Sequence, residues 1–146
     1  MSDSRSCIFC RIISGHSQAH RIAETVNFLA FLDHQPITLG HTLIIPKRHC
    51  VTLLDVPQEF LGEYLDFTRA LAQTVMKELG VPAFNLFQNN GAAAGQVVFH
   101  VHFHLVPRDG SDGIRYRRYL TPQSSQEQAS LAGRLKIGYE TRKRSG

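Results

Sequence analysis

No stretch of the chain approaches the ~18 consecutive apolar residues that a membrane-spanning helix requires, which excludes that class of protein. Missing too, from Met1 to Ser6 and beyond, is a positive start leading into an uninterrupted apolar segment and a small-residue cleavage site. No secretory signal is visible, and cytoplasmic residence is the expectation. Cysteine is scarce and odd in number, with three residues, which argues against a disulfide framework. Internal repeats and low-complexity stretches are absent. Hydrophobic content of 42% is that of a globular protein and argues against wholesale disorder. At 146 residues, the chain can bury one good core and is too short for two ordinary domains.

The formal charge of +4 is unevenly placed. Residues 1–107 carry seven Lys/Arg against eight Asp/Glu, and residues 108–146 carry nine against four, so the whole excess sits in the tail. There Arg115, Arg117 and Arg118 alternate with Tyr116 and Tyr119, a pattern that combines charge with stacking surfaces. A solvated or partner-covering tail accounts for it better than nucleic-acid binding, because a short basic tail attracts any polyanion without specificity. The organisation read from composition is an N-terminal segment 1–6, a domain over 7–108 and a basic extension over 109–146.

Hydrophobic periodicity predicts a short helix from Cys7 to Ile13, ending at Ser14 and Gly15. Extended segments follow at Arg21–Glu24 and Phe28–Leu32, with Asp33 to Pro36 as the break, then a β-branched apolar strand from His41 to Pro46. Asp55 reads as the N-cap of a long helix, with Gln58 three residues on, an apolar stripe through Tyr64, Leu71 and Val75, and a stop at Gly80. Strands are predicted at Ala83–Gln88 and Val97–Val106. The connection between them is longer than a tight turn and carries Gly91 and Gly95, which let backbone approach a ligand closely. The expected class is α+β: an antiparallel sheet of about five strands with one long and one short helix.

Side chains two apart on a strand share a face, so His100, His102 and His104 project together, opposite Val101, Phe103 and Leu105. Three histidines in strict alternation have few structural explanations, because buried imidazoles need partners and repel when protonated. Imidazole serves both as metal ligand and as nucleophile near neutral pH. Neighbouring histidines on a strand stand about 6.5–7 Å apart at the backbone, so convergence of all three on one ion is unnatural and divided roles are favoured. Cys7 and Cys10 form a single CxxC, which by itself leaves open a redox pair, half of a metal site or coincidence on a helix face. Cys50 receives no role.

The run His100-Val-His-Phe-His-Leu-Val106 resembles the signature of the histidine triad (HIT) family, in which three histidines alternate with apolar residues. Four other segments resemble family landmarks and stand in family order: Cys7-Ile-Phe-Cys-Arg-Ile-Ile13, Ala30-Phe-Leu-Asp33, Gly40 through Pro46 to His49, and Asn89-Asn-Gly91 through Gly95-Gln96. The likeness covers about residues 7–108 and is nearest the small hydrolase branch that includes nucleoside phosphoramidases. It implies a HIT-like fold, a homodimer paired through the long helix and a sheet edge, and hydrolysis at the α-phosphate of nucleotides. It further implies His102 as nucleophile, with His104, the Gln96 amide and nearby backbone N–H groups on the phosphate oxygens. Asn89 would orient phosphate or ribose, Asp33 would bind the ribose hydroxyls, and Phe28 and Ile45 would wall the base, a purine being the expected one. Cys7, Cys10, His49 and His100 resemble the Cys₂His₂ set that holds structural zinc in part of the family, so that His100 would both ligate metal and brace His102; no organic cofactor is implied. Two departures stand out: Val97 offers no hydroxyl where some members have Ser or Thr, and His34 stands where an aliphatic residue is expected near the base. The other readings of the same residues are dinucleoside polyphosphate hydrolysis and a non-catalytic nucleotide-binding regulatory module. Nucleic acid and membrane are not expected partners.

Overall fold

The computed structural model describes residues 6–111, 113 and 124–145, and the chain divides into two compact units, Met1–Gly113 and Ile114–Gly146. Ser6 alone of the N-terminal segment is described, and the Arg115 to Tyr119 strip lies outside the described residues. Among the described residues no helix is long and apolar enough to cross a membrane.

The first unit contains α1 (Ile8–Ile13), β1 (Arg21–Glu24), β2 (Phe28–Leu32), β3 (Thr42–Pro46), α2 (Gln58–Leu79), β4 (Ala83–Phe87) and β5 (Phe103–Arg108). The five strands form one antiparallel sheet in the order β1-β2-β3-β5-β4, as the α+β reading expects. Both faces of its middle are covered, which is why β2 and β3 are almost wholly buried and read as continuous apolar runs. On one face Phe28, Ala30, Ile44 and Leu105 pack against Tyr64, Leu71, Ala72 and Val75 of α2. On the other, Leu29, Phe31, Leu43 and Ile45 pack against Cys7, Phe9 and Ile12 of the α1 segment. The Tyr64 hydroxyl donates to the Ile44 carbonyl at 2.7 Å and fastens helix to sheet, and the Tyr64 ring stacks on Phe28.

Several boundaries differ from the sequence reading. The last strand starts at Phe103 and not at Val97. Residues 97–102 are irregular, pinned by the Val101 N–H donating to the Cys50 carbonyl and by the His100 ring. Asp55 does not cap α2. Its carboxylate accepts from the N–H and hydroxyl of Thr52 in the 3₁₀ turn Leu53–Asp55, and α2 begins after Pro57, a residue suited to a helix entry. The C-terminal end follows expectation: Gly80 takes the left-handed conformation, with its N–H and that of Val81 donating to Lys77 and Met76. Gly40, at the entry to β3, has φ +85° and lies so close to α2 that a Cβ there would stand 2.5 Å from Leu79 Cδ1.

The second unit contributes α3 (Ser125–Ser145), which the sequence reading did not anticipate. It lacks a one-sided apolar stripe, and its described side chains are exposed, so periodicity gives no signal. The overlooked sign is a capping box: the Glu127 carboxylate accepts from the N–H and hydroxyl of Ser124, ahead of a run rich in good helix formers.

Candidate functional site

The α1 face of the sheet opens into a cleft of about 950 Å³. His102 and His104 stand at its floor, Asp33 and Asn89 at its sides, and Phe9 and Phe31 among its apolar walls. The cleft follows from chain order: β2 delivers Asp33 at its end, and β5 delivers His104 opposite Leu43 on the same sheet face.

His102 sits one residue before β5, only 6% exposed. Its Nδ1 lies 2.7 Å from the His100 carbonyl. A carbonyl can only accept, so Nδ1 carries the proton and Nε2 keeps a free lone pair. Burial lowers the His102 pKa below the ordinary histidine value, partly opposed by that bond and by Asp33, so the ring is neutral at neutral pH. His104 is pushed down to about 4 by burial and by the adjacent His102 and His41 rings. Phe87 stacks flat on one side of His104, with ring centroids 4.6 Å apart.

His100 faces elsewhere, fully buried, with its Nε2–H donating to the Pro46 carbonyl at 2.8 Å. That leaves its Nδ1 lone pair toward Cys7 Sγ at 3.5 Å and Cys10 Sγ at 3.6 Å, while His49 Nδ1 lies 3.3 Å from Cys10 Sγ. All four donor atoms lie within 4.8 Å of one another. Tetrahedral zinc with sulfur and nitrogen ligands has S···N edges of about 3.6 Å, so this cluster has the dimensions and donor set of such a site. Burial and the neighbouring Cys7 push the Cys10 thiol up to about 12, a cost of placing an anionic sulfur here that a bound cation would offset. The three triad histidines are thus divided, one toward the sulfurs and two toward the cleft.

Asp33 lines the cleft with one carboxylate oxygen accepting the Gln35 N–H and the other 3.6 Å from His41 Nε2. Asn89 lines it as well, its amide donating to the Gly95 carbonyl at 3.4 Å. Val97 is at the rim, largely exposed, and so is His34.

Three expected residues are placed differently. Phe28 cannot wall the base: strand alternation turns it to the α2 face, against Tyr64. Ile45 is on the cleft face but is completely buried, in one cluster with Phe9 and Phe31, and does not line the opening. Gln96 does not present its amide to a phosphate. Both amide hydrogens are engaged, by the Val51 carbonyl at 2.6 Å and the Val98 carbonyl at 3.1 Å, and its oxygen accepts from Gly91 N–H, so the side chain braces the loop. The apolar wall instead comes from Phe9, Phe31 and Leu43 together with Ile8 and Ile12.

His41 is the residue that sequence reasoning overlooked. It is 2% exposed, with Nε2 2.9 Å from His104 Nδ1. The signal was available: a histidine at the mouth of a buried strand, directly after a glycine.

A profile of the HIT domain matches residues 14–111. An adenosine 5'-monophosphoramidase of Candida albicans is 42% identical over 119 residues, which span 78% of this chain and 78% of that protein. Among solved structures, a Streptococcus mutans protein superposes with a TM-score of 0.86 at 32% identity, covering 94% of this chain and 87% of its own. A zinc-bound histidine triad family protein from Mycobacterium smegmatis superposes with a TM-score of 0.72 at 39% identity, covering 92% of this chain and 99% of its own.

Proposed function

The chain belongs to the histidine triad family and is a nucleotide hydrolase of that type, and we propose that it cleaves nucleoside 5'-phosphoramidates at the α-phosphorus through a nucleotidyl-His102 intermediate. The observation that carries this reading is the 2.7 Å bond from His102 Nδ1–H to the His100 carbonyl, which holds the Nε2 lone pair free in a neutral ring beside the cleft.

In the first step the Nε2 lone pair forms a bond to phosphorus as the bond from phosphorus to the leaving amine breaks. The positive charge that develops on the imidazole is spread toward Nδ1–H, which the His100 carbonyl already accepts. The amine takes up a proton on leaving, and with Val97 supplying no hydroxyl at the rim that proton comes from water. In the second step water attacks phosphorus, the P–Nε2 bond breaks, the proton lost by the water passes to solvent, and nucleoside monophosphate leaves with His102 restored to its neutral form. His104 supplies a hydrogen bond to a non-bridging oxygen, Asp33 accepts from the ribose hydroxyls, Asn89 orients the phosphate end, and Phe9 and Phe31 flank a purine base.

Cys7, Cys10, His49 and His100 would hold zinc as a four-ligand structural site. When bound, the metal supplies cross-linking of the α1 segment to the chain after β3 and to the triad, and no chemistry on the substrate. The pairing surface we assign to a second copy of this chain is the apolar groove between α2 and β4, where Leu65, Phe84 and Leu86 are exposed beside the sheet's edge strand.

The test is intact-mass spectrometry after rapid, acid-free quenching with adenosine phosphoramidate, comparing wild type with His102→Ala. A transient adduct of one nucleoside monophosphate in wild type alone, followed by release of the monophosphate, supports the route. Nucleotide binding without adduct or turnover overturns it in favour of a binding module.

A further inference from the structure

We propose that His41 is a positioning residue which fixes His104 as the Nε2–H tautomer, so that adjacent cleft histidines are held in opposite tautomers, His102 as nucleophile and His104 as donor.

The assignment starts from a group whose role admits no choice. The main-chain N–H of Ile37 can only donate, and it lies 3.0 Å from His41 Nδ1. His41 Nδ1 is therefore the acceptor, and a neutral His41 carries its proton on Nε2. That Nε2 stands 2.9 Å from His104 Nδ1, a hydrogen-bond length, so its proton lies between the rings and His104 Nδ1 accepts. A neutral His104 must then carry its own proton on Nε2. The Asp33 carboxylate, 3.6 Å from His41 Nε2, is too far to compete for the same proton.

The relay is set before any ligand arrives. His41 is almost fully buried, and its main chain is tied on both sides, its N–H donating to Thr38 and its carbonyl accepting from Asp33. Thr38 is itself anchored by its hydroxyl to the Pro107 carbonyl on β5. Burial and the surrounding cationic and imidazole groups hold His41 and His104 below the ordinary histidine value, which keeps both rings in the neutral form that the tautomer argument requires.

The chemical consequence is complementary. His102 is fixed at Nδ1 by a carbonyl and offers a lone pair, whereas His104 is fixed at Nδ1 by a donor and offers an N–H. Nucleotidyl transfer needs both, a nucleophile and, next to it, a donor for the oxygen that gains charge. The significance for turnover rests on the hydrolase mechanism proposed above, while the tautomer assignment rests on hydrogen-bond geometry between neutral rings and is independent of the reaction.

The experiment is long-range ¹H–¹⁵N correlation of the imidazoles in the ligand-free full chain, for wild type, His41→Asn and His41→Gln, with phosphoramidase kinetics on the same samples. Wild type is expected to show Nε2–H at His104 and Nδ1–H at His102. In His41→Asn, whose side-chain oxygen still receives Ile37 N–H but which lacks a donor reaching His104, the His104 signal becomes a mixture of tautomers. His102 stays Nδ1–H there, which reports an intact fold, and kcat falls about tenfold or more. In His41→Gln the amide N–H reaches the Nε2 position and restores part of both. Nδ1–H at His104 in wild type, a pure Nε2–H signal in His41→Asn, or an unchanged kcat alongside a changed tautomer overturns the proposal. If wild type hydrolyses no phosphoramidate, the mechanism fails, and the spectra still decide the tautomers.

Discussion

The ring of Phe9 stands edge-on to the imidazole of His102, with centroids 5.1 Å apart and planes at 85°. It makes the same kind of contact with His100 at 5.8 Å and with Phe31 at 5.5 Å. Phe9 lies between the two cysteines of the CxxC, so the segment that would grip a metal also carries the aromatic side chain that bounds His102.

The first prediction concerns that grip. Cys10→Ser is expected to lower bound zinc from about one equivalent per chain and to lower Tm by on the order of 5 °C or more. Metal analysis and calorimetry check it. An unchanged Tm in protein shown to contain zinc before mutation would remove the structural role.

Replacing the proposed nucleophile separates chemistry from binding. His102→Ala is expected to reduce kcat by about 10⁴ or more while leaving affinity for nucleoside monophosphate within about tenfold of wild type. Single-turnover kinetics and calorimetric titration measure the two quantities independently.

Acid should remove activity and stability in the same direction. On the proposed route His102 must be neutral to attack, and its pKa lies below the ordinary value because the ring is buried. The logarithm of kcat/KM is therefore level near neutrality and falls only at pH below about 6.5. For stability, the unfolded His104 takes up its proton near the ordinary value, whereas the folded one resists until about 4. As pH falls through that window the unfolded state gains protons that the folded state does not, so stability drops, and above it this residue contributes no pH dependence. A pH–rate profile and a Tm series over the same buffers test both signs.

Tyr64→Phe removes one oxygen and leaves the Ile44 carbonyl without the donor that fastens α2 to the sheet. A loss of about 1–3 kcal/mol is expected, with little change in KM, because the site lies on the opposite face. Urea denaturation at constant m-value gives the number.

Placing a charge in the groove tests the pairing surface. Phe84→Glu on β4 is expected to convert a dimer to a monomer by light scattering while circular dichroism is unchanged. A dimer that persists places the contact elsewhere.

Much of this arrangement was legible before the structure. The alternation of histidines with apolar residues announced that His102 and His104 turn to one side and that the triad's roles are divided, and the run from His41 to Pro46 announced a buried strand. What stayed hidden depended on partners distant in sequence. Period-two spacing cannot say that residues 97–102 leave the ladder, because that is decided by Cys50 and Pro46 claiming Val101 and His100. Nor can it say which face of β2 meets α2, and the assignment of Phe28 to the base wall inverted that choice. Gln96 looked like a free amide because the carbonyls of Val51 and Val98 that occupy it are fixed only by the fold. His41 was passed over because its meaning comes from a ring 63 positions away.

His100 acts through two parts of one residue, its ring toward the sulfurs and its main-chain oxygen toward His102. Substitution can change the first and cannot delete the second. A lineage that replaced this side chain would still inherit the carbonyl that holds the His102 ring, so the two duties are open to separate fates in evolution even though they share a codon.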